Sequence, residues 1–247
     1  RTGEDGDAQA AAAYALAAIT GNIGVVGGNT GVSNGVTGRS GIAGLPAGSN
    51  PIDARVATPL LADLLARGKA GGYPADVKMI YSAGGDLFNQ CPNANKMAAS
   101  LDGVELIVGQ DHFLTPTVRQ ADIVLPATTF WERNDVHTPW AGAGHYAIFM
   151  KQAISPMFEC RNDFDIFADL AARVGINDYN DKSEMEWLRE LTRKAVDDFD
   201  TFADKGVARF APPQDAVAFA AQIRDPESHR FTTPSGKIEI YSMALAA

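Results

Sequence analysis

Three short segments carry side chains suited to recognising a nucleotide. Ser82 to Asn89 sets Gly84 and Gly85 beside Asp86 and Asn89; Gly109 to Thr117 contains Gln110 and Asp111; Pro126 to Asn134 ends in Trp131-Glu-Arg-Asn134. Paired glycines let a backbone close on a phosphate or ribose while a short polar side chain takes a hydroxyl, although the same pair also makes an ordinary turn. Asp111, directly after an apolar run, is placed either to accept from a ribose hydroxyl or the N1 and N2 donors of guanine, or to cap a following helix. Arg133 is placed to meet a phosphate with Glu132 orienting it; the bland reading is a surface ion pair worth little to stability.

Other chemistries lack their residues. The two cysteines, Cys91 and Cys160, are far apart and have no CxxC spacing, so this chain supplies neither a zinc nor an iron–sulfur ligand set and structural thiols are expected. His112, His137, His145 and His229 are scattered without HxxxH or HExxH spacing, and no GxSxG elbow, P-loop or GxGxxG after a strand occurs. A net charge of −9 with no Lys/Arg cluster argues against nucleic-acid binding, so an anionic ligand must be held by backbone amides and a few placed side chains. No apolar run approaches the ~20 residues that span a bilayer.

These loops need elements to hold them. Val77 to Tyr81, Glu105 to Val108 and Ala121 to Leu125 read as buried strands, separated by helical stretches at Asn93–Leu101 and Thr115–Gln120. That order predicts parallel βαβ units, with all three loops at the carboxyl edge of one sheet. A helix from Ala54 to Ala70 shows Leu60, Leu61, Leu64 and Leu65 on one stripe. Further helices are expected at Ala8–Ile19, Asp163–Val174 and Ser183–Asp198, the last opened by a Ser183/Glu186 capping box, and an alternating strand at Gly236–Tyr241. Between Gly21 and Gly48 so many glycines occur that the stretch is either a linker or a loop whose backbone approaches something closely; its Val, Ile and Leu favour an ordered loop. With 247 residues the chain can hold one substantial core or two modest ones. Expected divisions are 1–50 (helix and glycine-rich loop), 51–175 (α/β nucleotide-binding domain) and 176–247 (helices and a return strand). The absence of an initiating methionine at Arg1 and of an obvious end at Ala247 reads as cuts in a longer polypeptide.

An ordered series of motifs runs through Thr20-Gly-Asn-Ile-Gly24, Gly27-Gly28, Gly84-Gly-Asp86, Gln110-Asp111, Thr115-x-Thr117, Ala121-Asp-Ile-Val-Leu-Pro126, Glu132-Arg-Asn-Asp135 and Thr233-Pro-Ser-Gly-Lys-Ile-Glu-Ile240. The series resembles the second half of molybdopterin oxidoreductase catalytic subunits of the dimethyl sulfoxide reductase family. Asp163-Phe-Asp-Ile-Phe167, Glu184-Met-Glu-Trp-Leu188 and Asp225-Pro-Glu-Ser-His229 resemble the S-oxide and N-oxide reductases, whereas the glycine-rich stretch after Gly27 is closer to relatives carrying an iron–sulfur cluster. The resemblance implies a molybdenum bis(molybdopterin guanine dinucleotide) cofactor, with Gly84, Gly85, Asp86, Asn89, Gln110, Asp111, Arg133 and Asp163 lining one dinucleotide, and oxygen-atom transfer from a small oxide. Asp86 departs from the asparagine commonest at its position. It also implies, outside this chain, an amino-terminal segment that in some relatives binds an iron–sulfur cluster, the molybdenum ligand and a carboxy-terminal pterin-covering domain. Implied partners are the rest of the catalytic subunit, an iron–sulfur electron-transfer subunit and a membrane anchor, in the periplasm; the piece alone should not turn over. The competing reading is a non-catalytic α/β nucleotide-binding or interaction module without a redox site.

Overall fold

The computed structural model describes residues 6–29, 41–49, 52–138, 145–210 and 217–242. Along the chain these form α1 (Gly6–Ile19), α2 (Leu61–Arg67), β1 (Met79–Ala83), α3 (Leu87–Gln90), α4 (Ala94–Ser100), β2 (Leu106–Asp111) and β3 (Ile123–Pro126). There follow β4 (Asp135–His137), β5 (Tyr146–Met150), α5 (Asp163–Arg173), α6 (Glu184–Thr192), α7 (Phe199–Lys205), β6 (Val207–Arg209) and α8 (Ala220–Arg224). Two compact units result, one of residues 1–40, 138–147 and 209–247, the other of 41–137 and 148–208.

In the second unit β1, β2 and β3 form one parallel sheet in that order, as their spacing predicts. Each strand starts one or two residues later and ends one to three residues later than the apolar runs do; at β1 and β2 this is because Ser82 and Ala83 go on pairing with Gly109 and Gln110 although they add little apolar surface. Alternation sends neighbouring side chains to opposite faces. Ile80 joins the cluster of Ala62, Leu65, Cys91 and Met97 contributed by α2, α3 and α4. Tyr81 instead meets Phe167 of α5, ring centroids 5.4 Å apart. Helices thus cover both faces, the arrangement a parallel sheet requires. Gly109 is needed for close packing: a Cβ there would sit 3.2 Å from Val118 Cα and from Ala121 Cβ, where the turn Val118–Gln120 crosses β2.

Local chemistry sets several boundaries. The expected helix over Ala54–Ala70 is reduced to a 3-10 turn at Thr58–Leu60 followed by α2, because Pro59 opens the turn and Gly68 (φ 47°) ends the helix. Asn93 caps α4, Asn162 caps α5, and Ser183 with Glu186 closes the expected box on α6. The helix expected over Ser183–Asp198 stops at Thr192, where the hydroxyl turns back onto Leu188 O at 2.8 Å. Asp198 then caps a separate α7 through Thr201 N. The rings of Phe199 and Phe202 meet Phe149 of β5 edge-on, both at 5.8 Å, and bury β5 against α7.

The strand expected at Gly236–Tyr241 does not form. Gly236 (φ 69°) closes a turn onto Thr233 O, and Thr233 Oγ1 donates to Lys237 O at 2.6 Å, so the start of the segment is held in a local turn; Ile240 and Tyr241 are exposed. In the same unit, residues 21–29 of the glycine-rich stretch are built from turns, with Asn29 N on Asn22 O at 2.7 Å. A Cβ on Gly24 would lie 2.6 Å from Ile223 of α8. Residues 30–40 of that stretch lie outside the described residues.

Candidate functional site

Because the three strands run parallel and in register, Ala83 pairs with Gln110 and Asp111 with Pro126, so all three exit loops leave one edge of the sheet. Gly84 follows at φ 63°, a left-handed conformation that favours glycine; its amide donates to Gln110 O at 2.9 Å, and nothing lies within 4 Å of where a Cβ would be. Gly85 accepts the Ser82 hydroxyl on its carbonyl at 2.8 Å. The result is an open, fixed stretch of backbone at the tip of β1.

Asp86 is engaged by the protein itself. Its carboxylate accepts from the Thr117 hydroxyl at 2.6 Å, from the Thr117 amide at 3.3 Å and from the Asn89 amide group. Burial opposes its charge, but these hydrogen bonds outweigh it and hold the carboxyl below the usual carboxylate range. An acceptor-only side chain is what three donors require. Thr117, which the sequence marks only as part of Thr115-x-Thr117, is the partner that explains an aspartate here.

Gln110 is fully buried and bridges two layers: its Oε1 accepts from Tyr81 Oη at 2.5 Å and its Nε2 donates to Asp163 Oδ1 at 2.7 Å. Asp163, the first residue of α5, keeps 44% of its side chain exposed, and its Oδ2 lies 3.6 Å from Arg133 Nη1. Arg133 donates to Thr128 O at 2.6 Å and lies 3.3 Å from Asp135 Oδ2. Flanked by two carboxylates, the guanidinium sits in a locally negative environment, which suits a donor-rich ligand better than a phosphate.

Glu132 does not orient Arg133. It is buried and accepts from Thr129 N and Thr129 Oγ1, both at 2.8 Å, and from Met157 N at 2.7 Å. The Thr129 and Met157 amides hold its carboxyl below the ordinary range, and the charge serves to staple the β3 exit loop. Nor does Asp111 cap a helix: its Oδ1 accepts from His112 N at 2.7 Å and Phe113 N at 3.4 Å, shaping a turn, with 9% of the side chain exposed.

Arg133, Asp135 and Asp163 line a cleft of about 410 Å³ whose aromatic walls are Phe164, Tyr179 and Trp187. Phe164 meets Tyr179 and Trp187 with centroids 5.9 and 6.0 Å apart, and Lys182 Nζ lies 4.4 Å over Trp187. Glu184 fixes the floor, accepting from Asn134 Nδ2 at 2.8 Å and Asn162 Nδ2 at 2.9 Å. These rings touch one another, so a flat ring would lie against the aromatic wall and not between its members. Of the eight residues singled out from the sequence, Gln110, Arg133 and Asp163 converge on one network of a hydrogen bond and an ion pair; Gly84, Gly85 and Asp86 follow β1 and are tied to Asn89 of α3, and Asp111 lies at the end of β2.

A three-stranded parallel sheet covered on both faces by helices, with polar side chains gathered at its carboxyl edge, defines an α/β fold whose ligands sit beyond the strand ends. The molybdopterin oxidoreductase family model matches residues 1–173, and the chain belongs to that family. It is 34% identical over 257 residues to the dimethyl sulfoxide reductase DmsA of Escherichia coli K12, covering 94% of this chain and 31% of that protein. It is 36% identical over 189 residues to the dimethyl sulfoxide/trimethylamine N-oxide reductase of Cereibacter sphaeroides (71% of this chain, 23% of the relative). To the biotin sulfoxide reductase of the same organism it is 34% identical over 221 residues (80% and 29%). The chain therefore spans a quarter to a third of the length of these relatives. The acetylene hydratase of Pelobacter acetylenicus shares the fold, with a TM-score of 0.55 and 24% identity over 76% of this chain and 24% of that one. Membership of the family implies a molybdenum–molybdopterin cofactor. The open Gly84 backbone, the half-exposed Asp163 and the aromatic-walled cleft fit such a group.

Proposed function

We propose that this chain holds the nucleotide arm of one molybdopterin guanine dinucleotide within the catalytic subunit of a molybdenum enzyme that reduces an S-oxide or N-oxide. The observation that carries the reading is the convergence of the three parallel strand ends on one edge, with Asp111 at β2 and Asp163 beside the aromatic cleft. Carboxylates that only accept suit a guanine, whose N1 and N2 both donate. Asp163 keeps 44% of its side chain exposed, with Oδ2 3.6 Å from Arg133 Nη1, and the edge-to-face pair of Phe164 and Trp187 offers an aromatic wall against which a purine would lie. The Gly84-Gly85 backbone and Asn89 approach the ribose and diphosphate, and Asp86 holds their loop in place through Thr117. Asp111 takes a ribose hydroxyl or a base donor.

When bound, the molybdenum centre supplies oxygen-atom transfer, and the protein supplies placement and electrostatics. Electrons for such a centre would be supplied from outside this chain, by an iron–sulfur cluster or subunit of an exported, membrane-associated assembly. Residues 51–175 supply the sheet and most of the nucleotide-holding portion, and Tyr179 to Trp187 complete the cleft wall.

The test is cofactor analysis of the full-length protein, with turnover measured against a panel of S-oxides and N-oxides. The expected result is bound molybdenum, GMP in molar excess over the metal on hydrolysis, and reduction of at least one oxide. Bound metal with a different nucleotide, or turnover confined to substrates that are not oxides, would contradict it.

A further inference from the structure

We propose that Gln110 and Tyr81 are positioning residues: the Tyr81 hydroxyl fixes the Gln110 amide, and that amide holds Asp163 by Oδ1, so that Oδ2, 3.6 Å from Arg133 Nη1, is turned toward the ligand beside the guanidinium. The inference rests on the reading of Asp163 as a ligand-facing residue.

The bonding pattern allows one orientation. As a carboxylate Asp163 only accepts, so the Gln110 atom 2.7 Å from its Oδ1 must be Nε2, which donates. Gln110 Oε1 then faces Tyr81 Oη at 2.5 Å, and the hydroxyl must be the donor. Burial, reinforced by the charge of Asp163, raises the Tyr81 phenol above its ordinary value and keeps that proton in place. The chain of donors runs from β1 through β2 to α5, and every link is held by the fold: Tyr81 against Phe167, Gln110 in mid-register between Ala83 and Leu125, and Asp163 at the start of α5 after its cap Asn162. Gln110 is fully buried, so it touches no ligand and acts through Asp163. A buried amide satisfied at both ends fixes a rotamer more firmly than either bond alone.

Gln110→Glu changes only the donor. It sets a second carboxylate against Asp163, tolerable when the two share a proton and repulsive when both ionise. The charged and titratable groups facing the pair are Tyr81 from β1 and, on the β3–β4 loop and β4, Arg133 with Asp135 behind it. The full-length holoenzyme is passed through gel filtration at about pH 5.5 and about pH 8, and molybdenum retained per polypeptide is measured. Wild type should retain its metal at both values. Gln110→Glu should retain it at the lower and lose most at the higher, whereas Gln110→Met should lose it at both. Tyr81→Phe should release it about tenfold faster at either pH.

Retention by Gln110→Glu at the higher pH equal to that of wild type would overturn the inference, as would an equal loss at both values. Should that variant fail to accumulate, Tyr81→Phe decides, and unchanged release overturns the proposal. Asp163→Ala separates the two levels of the account. If it loses molybdenum while Gln110→Glu shows no pH dependence, the positioning role alone fails; if it retains molybdenum, the ligand-facing reading of Asp163 fails and the inference goes with it.

Discussion

The Thr117 hydroxyl donates to Asp86 at 2.6 Å, and by this bond the exit loop of β1 is tied to the connection between β2 and β3. Asp86→Ala removes the acceptor for Thr117 and Asn89 together and should destabilise the full-length protein by about 1 kcal/mol. The carboxyl is held below its ordinary value in the folded protein. Its contribution is therefore complete above the unfolded value of about 4 and is lost as pH falls through the folded one. Thermal melts should show the gap between wild type and variant closing below about pH 4.

The two glycines of that loop should behave differently. Gly84 has φ 63° with open space around a Cβ, so Gly84→Ala meets no clash but should cost about 1–2 kcal/mol in backbone strain. At Gly85 no positive φ occurs and a Cβ would rest 3.4 Å from Ser82 Oγ, so Gly85→Ala should be close to neutral for stability. Melting temperatures of the pair test this. If the backbone of this loop approaches the dinucleotide, molybdenum content should fall for Gly85→Ala as well.

Glu132→Gln replaces a carboxylate that accepts three hydrogen bonds with a group that must turn an N–H toward Thr129 or Met157. The variant should melt several degrees lower. Because the folded carboxyl lies below its ordinary value, the difference should be present at neutral pH and diminish as the solution is acidified below about pH 4.5. A variant as stable as wild type would mean that the β3 exit loop is held by other contacts.

The strands of the parallel sheet were legible because Val, Ile and Leu run together in short blocks at βα spacing, which periodicity detects. Caps were legible at Ser183 because both halves of the box are local. β4 and β6, three residues each, carry too little pattern to register, and β5 takes its place from rings on α7, remote in sequence. At Gly236–Tyr241 alternation misled, since Thr233 and Gly236 close a turn at the start of the segment and no strand lies beside it among the described residues. Within the site, Gly84 and Asp111 were legible as residues that follow apolar runs. Tyr81 and Thr117 were not, because their roles depend on partners at sequence separations of 29 and 31. Pairing Glu132 with its neighbour Arg133 likewise gave too much weight to adjacency, when Met157 lay across the loop.

The central claim is that the carboxyl edge of the sheet holds a nucleotide and does no chemistry of its own, and Asp111→Ala in the full-length enzyme tests it most directly. Asp111 closes β2, its Oδ1 is held by the His112 amide at 2.7 Å, and it lies beyond the strand end where ligands of such sheets sit. Molybdenum and nucleotide content are measured alongside turnover. The account predicts that both contents fall together and that turnover falls in proportion, so that activity per bound molybdenum is unchanged. Normal occupancy with collapsed turnover would place Asp111 in the chemistry and contradict it.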